Sequence, residues 1–251
     1  REGFAAPLKA WGFNTIGWTQ ELVGGTWGKP GTLLRHSPEW DVDKLRLAGL
    51  PFVYNFTFAE IEAFNNHAYY PDVFSDEFKN WADYLARAAC ARLADEPLLL
   101  GYADVPVPDF TSGRAGSWSE GLDLENPADL RTLKGIVRRY FEVVTAAIRR
   151  YDPNHLIFGP RFSHPSDTPH WVIALAGESF DVILCNRFVT KSEVVGCVAR
   201  WHQLSGRPII IADMAFLAPT AFTGARSWRT AQGSRDSRTP WTCRTGNASD
   251  R

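Results

Sequence analysis

An apolar run with no polar interruption has few places to go in a folded chain, and two such runs here each close on an aspartate. They are Leu98-Leu99-Leu100-Gly101-Tyr102-Ala103-Asp104 and Pro208-Ile209-Ile210-Ile211-Ala212-Asp213. Both are short and lack polar alternation, so they read as strands buried on two faces, the parallel-sheet kind. Parallel α/β proteins gather their chemistry at the C-terminal ends of strands. Two acids in that position, on strands far apart in the chain, point to a pair of carboxylates facing one site.

Further strand-like runs lie at residues 15–18, 52–56, 156–159 and 181–186, beside 98–102 and 208–212 from the two runs above. Helical patterns fall between them. Ser75 caps a helix whose apolar positions Phe78, Trp81, Ala82, Leu85 and Ala89 recur at helical spacing, with Asp76 and Glu77 suiting its N-terminal dipole. Asn126-Pro127 opens a second, a cap followed by proline at the first helical position, with Leu130, Leu133, Val137, Phe141, Val144 and Ile148 on its buried face. Asp152-Pro153 ends it. Ser192 starts a third, closed by Gly206 and Pro208.

The connections are asymmetric. Helix-to-strand links such as Asp95-Glu96-Pro97 are short, whereas the strand-to-helix stretches 57–74 and 105–125 are long. Long loops on the C-terminal side of the strands are what a (β/α)8 enzyme builds its site from. No GxGxxG or P-loop follows any strand, which disfavours the open nucleotide-binding sheet. The expected fold is α/β, a (β/α)8 TIM barrel over residues 1–224 that is incomplete at one or both ends. Residues 225–251 carry many Arg, Ser and Thr and no apolar periodicity, and read as an irregular tail, of the kind a reading-frame shift produces.

With 27 basic and 28 acidic residues, the chain has no field to draw in nucleic acid or an anionic membrane. No apolar run is long enough to span a bilayer. Cys90, Cys185, Cys197 and Cys243 show no metal spacing and are expected as free thiols. The chain opens at Arg1 without Met or a signal-peptide pattern, so its location stays open, with secretion or the periplasm as the candidates for the full-length protein.

Five stretches, LKAWGFNTIGW at 8–18, PDVFSDEF at 71–78, DEPLLLGY at 95–102, AIRRYDPNHLIFGPR at 147–161 and GRPIIIADMAF at 206–216, resemble in this order the TIM-barrel glycoside hydrolases of the large retaining clan, and within it the agarase-like β-galactanases. The resemblance spans roughly residues 1–220. It implies that the run ending at Asp104 is the fourth barrel strand and the run ending at Asp213 the seventh. The first carries the acid/base in that clan, the second the nucleophile. The family usually ends strand four with Asn-Glu and strand seven with Glu; this chain has Ala103-Asp104 and Asp213, each acid one methylene shorter.

The resemblance implies hydrolysis of β-glycosidic bonds in a galactan-type polysaccharide by a retaining mechanism, with Asp213 as nucleophile and Asp104 as acid/base. The alternatives are a non-catalytic carbohydrate-binding barrel that lost the usual Glu pair, or an inactive fragment. Asp109 is a second acid in the same loop as Asp104. Arg161, Asn55 and Asn186 stand at strand ends, where guanidinium and amide groups suit hydroxyls, and Trp18 can stack on a sugar ring. His67, Tyr69 and Tyr70 lie in a loop that could cover the cleft, while His155 starts a strand from the opposite end and reads as structural. A polysaccharide or oligosaccharide is the implied partner, without nucleic acid or membrane, and no metal or organic cofactor is implied.

Overall fold

A computed structural model describes residues 5–19, 42–59, 61, 70–104, 108–162, 168–187 and 191–214. The described chain alternates helix and strand: α1 (Ala5–Ala10), β1 (Ile16–Thr19), α2 (Val42–Ala48), β2 (Phe52–Phe56), α3 (Asp76–Leu93), β3 (Leu99–Asp104), α4 (Pro127–Tyr151), β4 (Leu156–Phe162), α5 (His170–Ser179), β5 (Val182–Arg187), α6 (Lys191–Ser205) and β6 (Ile209–Met214). The strands form one six-stranded sheet in the order β1-β2-β3-β4-β5-β6, and every neighbouring pair is parallel. Sequential parallel neighbours joined through helices make part of an α/β barrel. The tail at residues 225–251 lies outside the described residues, as does Cys243.

The helices start where their capping chemistry requires. Ser75 Oγ accepts a hydrogen bond from Phe78 N at 3.1 Å to open α3, and Asn126 Oδ1 accepts from Ala128 N at 2.9 Å to open α4. Leu133, Val137, Tyr140, Phe141, Val144 and Ile148 then bury one face of α4. The periodicity does not reveal α2 or α5. The α5 segment HWVIALAGES is apolar on nearly every side, so it carries no amphipathic signal, and α2 is only seven residues long. Three strands run further than their apolar stretches suggest. Asp104, Arg161 and Asp213 lie inside β3, β4 and β6 rather than beyond them, because the backbone ladder continues after the apolar residues stop.

Two apolar clusters define the two sides of the sheet. The larger joins strand residues Phe52, Tyr54, Leu99, Tyr102, Ile157, Phe162, Ile183 and Cys185 to residues of the helices. The smaller contains only strand residues: Ala103, Phe158, Val182 and Leu184, with Val53 and Ala212 against them. The first is the helix-facing side and the second the inner, concave side. Most of the aromatic wealth is on the helix side. Phe141 sits among Phe110, Phe162 and Phe180, with ring centroids 6.0, 6.3 and 4.9 Å away. Leu100, Leu156 and Ile210, low on the strands, stay exposed.

Gly101 is fixed by close approach. A Cβ at this position would lie 2.0 Å from the Leu156 carbonyl oxygen of the neighbouring strand. Backbone cannot retreat there without breaking the β3–β4 pairing. Gly101→Ala is expected to cost about 1–3 kcal/mol, the usual penalty for forcing atoms into a filled interior, and urea unfolding measures it directly.

Candidate functional site

The parallel register carries the strand-end residues to one rim. Asn55 pairs with Ala103, and Phe56 with Asp104. Asp104 pairs onward with Pro160, Arg161 with Leu184, and Asn186 with Asp213. Asn55, Asp104, Arg161, Asn186 and Asp213 thus all stand near the C-terminal ends of their strands, as expected from the sequence. Trp18 lies on β1. The side chains of Trp18 and Asp213 lie outside the described residues, as do His67 and Tyr69.

Alternation divides these residues between the two faces. Asn55 is registered with inner-face Ala103 and Arg161 with inner-face Leu184. Asn186 follows helix-facing Cys185 and so turns inward. All three are deeply buried, at 3 %, 6 % and 7 % exposure for Asn55, Arg161 and Asn186. Asn55 Nδ2 and Asn186 Oδ1 are buried with no hydrogen-bond partner among the described residues. Native proteins pair nearly all such atoms, so one open donor and one open acceptor on the same concave surface are unusual.

Asp104 goes the other way. It follows inner-face Ala103, and its carboxylate enters the helix layer, where Oδ2 accepts a hydrogen bond from the Tyr140 hydroxyl at 2.5 Å. Oδ1 accepts from Phe58 N at 3.4 Å. Burial, with 5 % of the residue exposed, pushes its pKa up to about 7, against the opposing pull of the Tyr140 hydroxyl, the Phe58 amide and the Arg161 charge. The expectation that Asp104 and Asp213 face one site as a pair therefore meets an obstacle on the β3 side. Strand alternation, invisible in a run that is apolar on both faces, turns this acid outward.

Asp109, the second acid near β3, is half-buried and paired with Arg114 Nη2 at 3.1 Å. Its carbonyl accepts from the Tyr70 hydroxyl at 2.7 Å, and the Trp118 indole donates to the Pro71 carbonyl at 2.8 Å. Tyr70 and Trp118 meet edge to face, 5.4 Å apart. These contacts sew the segment after β3 to the segment before α3. Tyr140, which sequence reasoning passes over, is the missed residue. Its position within the buried stripe of α4 marks it as core, and only the fold reveals that its hydroxyl meets an acid.

His155 is at the opposite end. Its Nδ1 lies 2.6 Å from Asp152 Oδ2, and its Nε2 lies 3.2 Å from the Glu96 carbonyl, in keeping with a structural part. Cys90, Cys185 and Cys197 are buried and form no disulfide among the described residues. No described helix is long and apolar enough to cross a membrane.

No protein-family model matches this sequence, and no curated protein matches it closely enough to serve as a relative. Solved structures do resemble it. An exo-β-agarase superposes with a TM-score of 0.57 at 20 % identity, over 82 % of this chain and 33 % of its own. A second agarase gives 0.60 at 19 % identity, over 87 % of this chain and 35 % of its own. A Bacteroides uniformis β-glucuronidase gives 0.53 at 12 % identity, over 82 % and 21 %. The chain therefore spans about a third of the agarases it resembles. At these identities the likeness is one of fold: the chain has the architecture of part of an α/β barrel.

Proposed function

We propose that this rim binds a β-linked, galactan-type saccharide. The observation that carries the reading is the pair of buried atoms, Asn55 Nδ2 and Asn186 Oδ1, unpartnered among the described residues of the concave face. A sugar hydroxyl donates and accepts at once, so a saccharide running across the rim from β2 to β5 carries partners for both amides, and Arg161 on the intervening β4 adds a donor-rich group. The saccharide class rests on the agarases among the similar structures.

Calorimetry with agarose-derived oligosaccharides tests this. Each of Asn55→Ala and Asn186→Ala should weaken binding by about tenfold, the loss of one hydrogen bond worth about 1.4 kcal/mol. A wild-type protein that gives no binding with these oligosaccharides overturns the reading.

Hydrolysis is the second reading, favoured by the Asp213 backbone lying beside Asn186 and by an Asp104 that still holds its proton up to a pH of about 7. A retaining pair needs carboxyl groups about 5–5.5 Å apart across the bond being cut. Geometry comes before pKa in such an assignment, and a carboxylate bound to α4 faces away from a sugar on the inner side. Retaining hydrolysis through Asp213 as nucleophile and Asp104 as acid/base requires Asp104 to leave Tyr140. Asp213→Asn separates the two readings: it abolishes cleavage if the pair is catalytic and leaves oligosaccharide affinity in place.

A further inference from the structure

Asp104 occupies the centre of the rim without facing the ligand surface. Its neighbour across the register on one side is Phe56, next to Asn55, and on the other side Pro160, next to Arg161. Its carboxylate also reaches past the end of β2 to the Phe58 amide, three residues beyond Asn55. Phe58 is gripped from its other side as well, its carbonyl accepting from the Trp81 indole at 3.2 Å. The Tyr140 hydroxyl then ties this assembly to α4.

We propose that Asp104 is a positioning residue for saccharide binding: its carboxyl, locked between Phe58 N and the Tyr140 hydroxyl, fixes the end of β2 against α4 so that Asn55 presents its amide on the concave face. This deepens the saccharide reading above and rests on it. The cause is mechanical. A strand end is free to fray once its ladder stops, and a side-chain hydrogen bond to the first residues of the following loop removes that freedom. A ligand that meets amides already in place gives up less conformational entropy on binding. The proposal also accounts for an acid that is buried against a tyrosine and separated from the sugar face.

Asparagine is the informative replacement. It keeps an oxygen to accept from Phe58 N and keeps Tyr140 as a partner once that hydroxyl turns to accept from the new NH2 group instead of donating to Oδ2, but it cannot donate a proton to a leaving group. Asp104→Ala removes both bonds, and Tyr140→Phe removes one while keeping the ring. The test measures affinity for agarose-derived oligosaccharides, turnover of the same material, and hydrogen exchange at the Phe58 amide in all four proteins.

Asp104→Asn should bind within about threefold of wild type, with Phe58 exchange unchanged. Asp104→Ala should lose about tenfold or more in affinity and exchange Phe58 faster, with Tyr140→Phe shifted in the same direction by less. Should Asp104→Ala fail to fold, the comparison of Tyr140→Phe with wild type carries the test alone. Unaltered affinity and exchange in the variants that fold, Asp104→Asn aside, would overturn the proposal. So would an Asp104→Asn protein that binds normally and has lost all turnover, since that outcome identifies a proton donor. If wild type binds no oligosaccharide, the saccharide reading falls, and the exchange rates still decide whether Asp104 holds Phe58.

Discussion

Asp152→Ala is expected to lower the unfolding free energy by about 3–5 kcal/mol, the range for stripping one partner from a buried charged network. Against a total stability of roughly 5–15 kcal/mol, that brings the protein close to unfolding. Asp152 is fully buried and serves four donors. Tyr102 Oη donates to Oδ2 at 2.7 Å, and the His155 imidazole meets the same oxygen. The amides of Asn154 and His155 donate to Oδ1 at 3.0 and 3.1 Å. Truncation would orphan all of these where α4 turns into β4.

The charge has its own signature in pH. Burial works to raise the Asp152 pKa, but the hydrogen bonds from Tyr102, the His155 amide and ring, and the Asn154 amide outweigh it and hold the carboxyl below its ordinary value. A depressed carboxylate stabilises the fold above the unfolded pKa of about 3.9, and this contribution disappears as pH falls through the folded value. Urea unfolding of wild type and Asp152→Asn should therefore differ near neutrality and converge in strong acid. A gap that persists unchanged into strong acid would remove the charge from the account.

The opposite slope is expected of Asp104. Its folded pKa of about 7 lies above the unfolded value of about 3.9, so between these limits the folded state holds a proton that the unfolded state has released. Stability then falls as pH rises through this window and levels off above it. The ceiling on the loss is about 4 kcal/mol, from roughly three units at about 1.4 kcal/mol each. Asp104→Asn removes the titrating group while keeping its shape. The variant should gain on wild type steadily from pH 4 to pH 7, and stop gaining beyond, if burial is indeed what holds the proton. A difference between the two proteins that does not change with pH would show that the carboxyl is ionised throughout.

The two aspartates show how differently a sequence exposes its acids. Asp152 precedes Pro153 at the end of a long amphipathic pattern, so its place at a helix terminus is legible, and its partners Asn154 and His155 are close in the chain. Asp104 ends an apolar run whose residues are buried on both sides. Such a run announces a strand but does not say which face any residue takes, because alternation leaves no polar trace when both faces are apolar. Asn55 and Asn186 are legible as strand ends, and their shared inner face comes from the parallel register.

What the sequence alone determined was the order of the parts. Leu and Ile runs, capped helices and the contrast of short and long connections dictate parallel strands alternating with helices, since each signal is local and depends on neighbours a few residues away. It also determined that Asn55, Asp104, Arg161, Asn186 and Asp213 gather at one rim, because every parallel strand must end on the same side. The tertiary structure alone decided which of them face the concave surface. That choice depends on register with adjoining strands and on partners such as Tyr140, which lies 36 residues from Asp104 in the chain. Tyr140 reaches Asp104 only because α4 packs against the outer face of the sheet.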